Sequence, residues 1–274
     1  MPKLDRIAIE DVLRALLECE NRRHEATEAQ LAGLSDMSRD RAVQRLGQAD
    51  QLGLVSAPYQ GVWGLTAEGR AEAVRVMRAH RLTETKLAHE TSLSPERWHD
   101  VAHAREHRLT ADELDALADR LGNPRFDPHG DPIPTREGHF PSPEDVPLLD
   151  WPVGSPGVIA HVEDEPKQLF ARLAATGLAA GQRFVAQAAD GGIELLVEGR
   201  TTFLVSSIVP LVRVRALHAD ELGPVAGAVR LSDLADGGSA EVVTLLPGCM
   251  GAERSRLLDL GFVPGSRIER VLSS

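Results

Sequence analysis

The side chains able to do chemistry concentrate in one stretch of the chain. His80 and Glu84 stand four residues apart, and His99, His103 and His107 repeat at four-residue intervals with Glu106 beside the last. Spacing of four places side chains on one face of a helix, so two neighbouring helices would each carry a row of imidazole and carboxylate. Two such rows facing each other supply ligands for divalent cations. Without thiolate or thioether, the donor set suits Mn²⁺, Fe²⁺, Co²⁺, Ni²⁺ or Zn²⁺ better than Cu⁺. A solvated polar stripe accounts for any one of these histidines, but not for six residues in one register. His24, His89, His129, His139, His161 and His218 fall in no such pattern and read as ordinary surface or loop residues.

The rows lie in the most acidic part of the molecule. The chain has 274 residues, with 30 Lys and Arg against 41 Asp and Glu, a formal charge of −11. That balance argues against a protein that coats nucleic acid or an anionic membrane by bulk charge. The charge is unevenly spread, however. Residues 1–80 hold 11 basic and 12 acidic side chains, residues 81–150 hold 8 and 15, and residues 151–274 hold 11 and 14. The first segment is nearly neutral, so a local nucleic-acid contact surface there is compatible with the acidic whole. With 42% hydrophobic and 26% charged residues, the chain can bury real cores, and its length suggests two or three domains. Cys19 and Cys249 are the only cysteines, which excludes a disulfide framework and a cysteine-based zinc site. Charges run through the first twenty residues and no apolar run reaches about 18 residues. The expectation is a cytoplasmic protein with no signal peptide and no membrane span.

Several elements must position these residues. Ile9, Val12, Leu13, Leu16 and Leu17 recur with helical spacing, predicting a first helix with one apolar face. Thr27 caps a short second helix and Ser38 a third, which continues toward Leu52 across Gly47. Gly53–Ser56 starts a strand, Tyr59-Gln60-Gly61 turns, and Val62–Leu65 returns. A long helix then runs from Thr66 to about His89. Helix, short helix, helix and small hairpin is the order of a winged helix-turn-helix. On its third helix Ser38, Arg39, Arg41, Gln44 and Arg45 are the candidates for DNA contact, since Gln pairs with adenine and Arg with guanine or phosphate. Val43 and Leu46 are expected in the core, and Trp63 packed beneath the hairpin. Ser94-Pro95-Glu96 and Thr110–Glu113 open two further helices. Pro and Gly then interrupt residues 122–134, and residues 141–156 read as a Pro-punctuated linker. Beyond it, strands at 158–162, 183–188, 193–197, 202–205 and 209–214, with a helix at 168–175, suggest a small barrel. Residues 173–185 match residues 257–269 in glycine spacing and apolar character, so the chain contains a repeat whose second copy is incomplete.

At the ligand rows a resemblance becomes specific. Val76-Met-Arg-Ala-His80-Arg-Leu-Thr-Glu84, then Trp98-His99-Asp-Val-Ala-His103-Ala-Arg-Glu106-His107, resembles the diphtheria-toxin-repressor-like family of metal-dependent transcriptional regulators, which includes iron-dependent and manganese-transport regulators. Asp127-Pro-His-Gly-Asp-Pro-Ile-Pro134 is similar to the segment ending that family's dimerisation domain, and the tail looks like the ferrous-transport A-type (FeoA) barrel. The resemblance implies an α+β multidomain chain. Residues 1–70 would form the winged helix-turn-helix, 71–140 an all-α dimerisation and metal-binding domain, 141–156 the linker, 157–216 an SH3-like FeoA-type barrel, and 228–274 a partial second copy. It also implies site roles. Asp11, His103, Glu106 and His107 correspond to a primary metal site. His80, Glu84 and His99 correspond to an ancillary site, completed from the barrel by Glu165 and Gln168. His103 stands where relatives carry Cys or Glu, and Arg14 where some manganese sensors carry Glu. Asp11 in place of the Met of iron sensors tilts the metal toward Mn²⁺.

The implied function is a homodimeric repressor of metal-uptake genes that binds a palindromic double-stranded DNA operator when Mn²⁺ or Fe²⁺ is bound. Asp11 belongs to the DNA-binding module and its partners to the dimerisation helices, so a shared cation would fix their relative orientation. The same His and Glu rows suit a di-metal hydrolase or a metal-storage protein. Against the hydrolase, nothing resembles a nucleophile elbow, a phosphate loop or an open-site zincin helix, and a storage protein needs no recognition helix.

Overall fold

The computed structural model describes residues 3–197, 199–217, 228–246, 249 and 251–271; His218 lies outside the described residues. The chain divides into two compact units. One comprises Met1–Thr83, Asp100–Arg125 and Ile133–Pro141, the other Glu84–His99, Phe126–Pro132 and Ser142–Ser274.

The first unit opens with α1 (Lys3–Arg22), α2 (Glu28–Leu34) and α3 (Arg39–Gln51), followed by a hairpin of β1 (Val55–Tyr59) and β2 (Val62–Leu65). The apolar row of α1 packs with Leu31, Leu46, Ala49, Val55, Val74 and Met77 into one core, with Trp63 partly buried against it. Local chemistry sets where the helices start. The Thr27 hydroxyl accepts the Gln30 N–H at 3.3 Å, and the Ser38 hydroxyl accepts the Arg41 N–H at 3.4 Å, satisfying donors that a first helical turn leaves unpaired. Val43 departs from expectation: it is exposed. The buried row of α3 is Ala42, Leu46 and Ala49, a single helical stripe, and Val43 falls one position off it.

The long α4 (Ala67–Glu90) starts directly against the hairpin. Gly69 permits this approach, because a Cβ there would fall 1.7 Å from the Leu54 carbonyl oxygen. After one 3₁₀ turn come α5 (Trp98–Glu106) and α6 (Ala111–Arg120). A capping box starts α6: Thr110 accepts from the Glu113 N–H while the Glu113 carboxylate accepts from the Thr110 N–H. Leu114, Leu117 and Ala118 of α6 join Ala79, Leu82 and Ile133 in a second, smaller core.

The second unit is built on an antiparallel sheet of β3 (Val146–Pro147), β4 (Pro156–Val162), β5 (Arg183–Ala189), β6 (Gly192–Val197), β7 (Arg200–Val205) and β8 (Val212–Arg215), in the order β3-β8-β4-β5-β6-β7. Ile159, Phe184, Leu195, Leu204, Val212 and Val214 form its core with Phe170 and Leu173 of α7 (Lys167–Ala174). The stretch expected as a linker contributes β3, whose Val146 pairs with Val214, and the fully buried Leu148. Pro147 is tolerated there because β3 is an edge strand and needs no ladder donor on its open side. Farther on, β9 (Ser239–Glu241) pairs antiparallel with β10 (Arg267–Glu269), and α8 (Gly251–Asp259) lies between them in sequence. The internal repeat reappears in the backbone: Gly177 and Gly181 after α7, and Gly261 and Gly265 after α8, all take φ between 76° and 87°. Among the described residues, no helix is long and apolar enough to cross a membrane.

Candidate metal centre

In the first unit Asp11, from α1, meets His103 and Glu106 of α5 and His107 just beyond it. One ligand atom from each of the four lies within 4.8 Å of the others. His107 Nε2 is 3.1 Å from Asp11 Oδ1 and 3.3 Å from Glu106 Oε1. His103 Nδ1 is 3.0 Å from Glu106 Oε1 and 3.9 Å from Asp11 Oδ1. Spacings of three and four on α5 put its contributions on one face, and that face meets α1 where Asp11 follows the buried Ile9 by two residues.

The arrangement fits a divalent cation on two grounds. First, Asp11 Oδ1 and His107 Nε2 are buried, and despite their proximity neither makes a hydrogen bond of acceptable geometry. Leaving such groups unsatisfied costs about 1–3 kcal/mol apiece, a cost that a cation between them would remove. Second, two imidazoles and two carboxylates without sulfur are ligands suited to Mn²⁺ and Fe²⁺. The electrostatics point the same way. Burial alone would raise the Glu106 carboxyl, but Arg14, with its Nε 3.7 Å from Oε1, together with His80 and His103, holds it far below the usual carboxylate range. Burial alone would depress His107, yet its hydrogen bond with Glu10 and the nearby charges of Asp11 and Glu106 hold its imidazole up to about 9. Near neutral pH the cluster therefore attracts positive charge strongly enough to keep a proton on His107.

One participant was not legible in the sequence, and another, His80, was expected only at the ancillary site. Glu10 is 2% exposed and its Oε2 lies 2.6 Å from His107 Nδ1; nothing in the sequence separates it from the other acids of the first helix, and only burial singles it out. His80 Nδ1 is hydrogen-bonded to Glu106 Oε2, so in this unit it touches the far oxygen of the same carboxylate.

In the second unit His99 Nδ1 stands 3.7 Å from Glu84 Oε1 and 3.4 Å from Asp164 Oδ2. The reading of His129 as an ordinary loop residue is corrected. His129 is 4% exposed, with Nδ1 3.8 Å from Glu84 Oε2 and 4.0 Å from Asp164 Oδ2. Burial pushes its imidazole down, but the carboxylates of Glu84, Asp127 and Asp164 prevail and raise it. His129 Nε2 has no hydrogen-bond partner among the described residues, and Glu84, Asp127 and His129 form a further group with ligand atoms within 4.8 Å. A rigid turn brings this about. Asp127 Oδ1 accepts the N–H groups of His129 and Asp131, both at 2.9 Å, and Gly130 sits at φ 96°, where a Cβ would be 2.0 Å from the Ala160 carbonyl oxygen. An Asp-Pro-His-Gly run was the available signal, because Asp and Gly together fix such a turn. Glu165 is exposed and lines a small cavity with His99, His129 and Asp164. Gln168 is exposed and is absent from that lining. Asp164, the neighbour of Glu165, brings a second carboxylate near both imidazoles beside that of Glu84.

On α3, Ser38, Arg39, Arg41 and Gln44 are exposed and Arg45 is half-buried. Arg39 pairs with Glu28 at 3.0 Å, and Arg45 donates to Gln48 at 2.7 Å.

Comparison with known proteins finds matches in two stretches of the chain. Residues 66–135 match the family described as iron dependent repressor, metal binding and dimerisation domain, and residues 229–273 match the FeoA domain. The iron-dependent repressor IdeR of Mycobacterium tuberculosis is 29% identical over 201 residues, covering 68% of this chain and 87% of that protein. The diphtheria toxin repressor of Corynebacterium efficiens is 31% identical over 122 residues, covering 44% and 53% respectively. A manganese-dependent transcriptional repressor solved in complex with manganese superposes with a TM-score of 0.66 at 28% identity, over 76% of this chain and all of that one. The proteins that share this chain's helical segment and sheet are thus described as metal-dependent repressors. The chain is similar to the diphtheria-toxin-repressor-like regulators, with residues 66–135 matching their metal-binding and dimerisation domain and residues 229–273 matching the FeoA domain.

Proposed function

We propose that this protein is a divalent-metal-activated transcriptional repressor that binds DNA as a homodimer and responds to Mn²⁺ or Fe²⁺. The observation that carries the proposal is the meeting of Asp11, on the first helix, with three ligands at the end of α5. In this reading residues 1–70 form a winged helix-turn-helix, with α3 as the recognition helix and β1–β2 as the wing. Residues 71–140 dimerise and bind metal, residues 157–216 form an SH3-like barrel, and residues 228–274 form a partial FeoA-type copy of it. Ser38, Arg39, Arg41, Gln44 and Arg45 face the DNA.

Asp11, His103, Glu106 and His107 would hold the activating cation, which supplies the positive charge that keeps the α1 and α5 carboxylates together. The residues do the rest. Asp11 carries the DNA-binding module and the α5 ligands carry the dimerisation helices, so joining them restricts the angle between the two. Two recognition helices must enter successive major grooves about 34–36 Å apart, and a fixed angle lowers the ordering cost of doing so. Metal therefore raises affinity without touching DNA. Glu84, His99, Asp127, His129 and Asp164 would take a second cation, with Glu165 and Gln168 at its periphery. The two-fold symmetry of a homodimer calls for a palindromic operator, and the function calls for the cytoplasm. The relatives named above are described as repressors, which favours this reading over a di-metal hydrolase or storage protein.

A gel-shift titration with operator DNA in Mn²⁺, in anaerobic Fe²⁺ and in chelator tests it. Affinity should rise with either metal, and the double variant His103→Ala/Glu106→Ala should fold yet show no rise. Metal-independent binding, or an unchanged response in the double variant, would overturn it.

A further inference from the structure

The side chain of Glu10 is spent on one arrangement. Oε1 accepts from Arg6 Nε at 2.6 Å and lies 3.2 Å from Arg75 Nη2, while Oε2 faces His107 Nδ1 at 2.6 Å. Arg75 is itself tethered, donating to Glu72 and to the Leu109 carbonyl oxygen at 3.1 Å. Glu10 is thus held from both sides, and its second oxygen has one direction in which to point. A neutral imidazole has a single N–H, and the group bonded to one nitrogen decides which nitrogen is left as the lone-pair donor. A carboxylate on Nδ1 keeps the proton there. The free lone pair is then on Nε2, which is the atom near Asp11 and Glu106. It also fixes the plane of the ring.

We infer that Glu10 is a positioning residue for the cation site: it selects the tautomer and orientation of His107 that present Nε2 to the metal, and the Arg6–Arg75 clamp positions Glu10. The inference rests on the metal-site reading given above, and it concerns a residue that would not itself ligate. It also gives α1 two adjacent roles, one ligand at Asp11 and one orienting carboxylate at Glu10, on opposite sides of the same imidazole.

The test uses the full chain and Mn²⁺ titrated by calorimetry, with the Zn²⁺-loaded protein read by ¹⁵N correlation of the histidine ring. Glu10→Met, which removes the acceptor at similar volume, should weaken Mn²⁺ at this site by roughly 10- to 100-fold. In its Zn²⁺ form His107 should no longer show a single pattern of protonated Nδ1 and metal-bound Nε2. Glu10→Gln keeps size and an acceptor oxygen, so it should recover much of the affinity and the single tautomer, with the Nδ1 proton shifted upfield by loss of the charge. Folded Glu10→Met with wild-type affinity and ring pattern overturns the inference. Should that variant fail to fold, an unchanged Nδ1 proton shift in Glu10→Gln overturns it equally. His107→Ala separates the two layers. If it loses the site while Glu10→Met does not, only the positioning role fails; if it binds like wild type, the site reading itself fails.

Discussion

His107 is pulled on by three carboxylates, and the consequence can be read in pH. Its imidazole lies at about 9 in the metal-free fold against an ordinary 6.5. A raised value means that the stabilisation from the protonated ring is fully present below about 6.5 and is lost as pH climbs through about 9. The metal-free protein should therefore melt at lower temperature at pH 9.5 than at pH 6.5, and His107→Ala should flatten that difference. Cation binding must displace the Nε2 proton, so Mn²⁺ uptake at pH 7.5 should release close to one proton from this residue. Calorimetry in buffers of different ionisation enthalpy measures that number, and no buffer dependence would contradict the assignment. The rows at 80–84 and 99–107 exposed most of the ligands to a reading of spacing alone, because helical periodicity turns sequence separation into direction. Glu10, Asp127, His129 and Asp164 were hidden for the opposite reason. Their roles depend on burial and on turns that bring distant segments together, and no local period encodes either.

At the scale of elements, the helix starts, the hairpin and the long α4 follow from caps, glycines and apolar stripes that the sequence displays openly. What it conceals is which extended residues join a sheet: β3 reads as linker because Pro and charge dominate it, and only pairing with β8 reveals it. Two substitutions separate scaffold from site. Thr110→Ala removes the capping box of α6 and should cost about 1 kcal/mol, seen as a lower urea midpoint, with Mn²⁺ affinity unchanged. Gly130→Ala should be selective in the other direction. A Cβ at φ 96° and 2.0 Å from a backbone oxygen forces the Asp127–Asp131 turn to move, at a cost of about 1–2 kcal/mol from the backbone conformation alone. Its expected signature is loss of the weaker class of Mn²⁺ sites in calorimetry, with the site at Asp11 and His107 intact. Equal loss at both would mean that the turn supports the fold in general and not one site.

For the whole molecule, a charge of −11 first argues against nucleic acid, and its partition reverses that. Most of the excess lies in residues 81–150, where most of the candidate cation ligands are, while the segment carrying Arg39, Arg41 and Arg45 is almost neutral. Acidity of this kind should keep non-specific DNA binding weak when metal is absent. On the proposed reading specific binding should fall with salt, with a slope set by the number of arginine–phosphate contacts. Arg41→Ala should weaken operator binding across all sequences and reduce the magnitude of the log–log salt slope by about 2 per dimer, measured by anisotropy from 50 to about 200 mM salt. The account stands or falls on whether one cation joins α1 to α5, and among the described residues Asp11 is the only α1 side chain in the primary group. The decisive measurement is operator affinity, by fluorescence anisotropy, as free Mn²⁺ is raised for wild type and for Asp11→Ala. Wild-type affinity should rise within the roughly 5- to 150-fold range of allosteric coupling, while Asp11→Ala, still able to take Mn²⁺ weakly through His103, Glu106 and His107, should show no rise. An equal rise in both proteins would contradict the account.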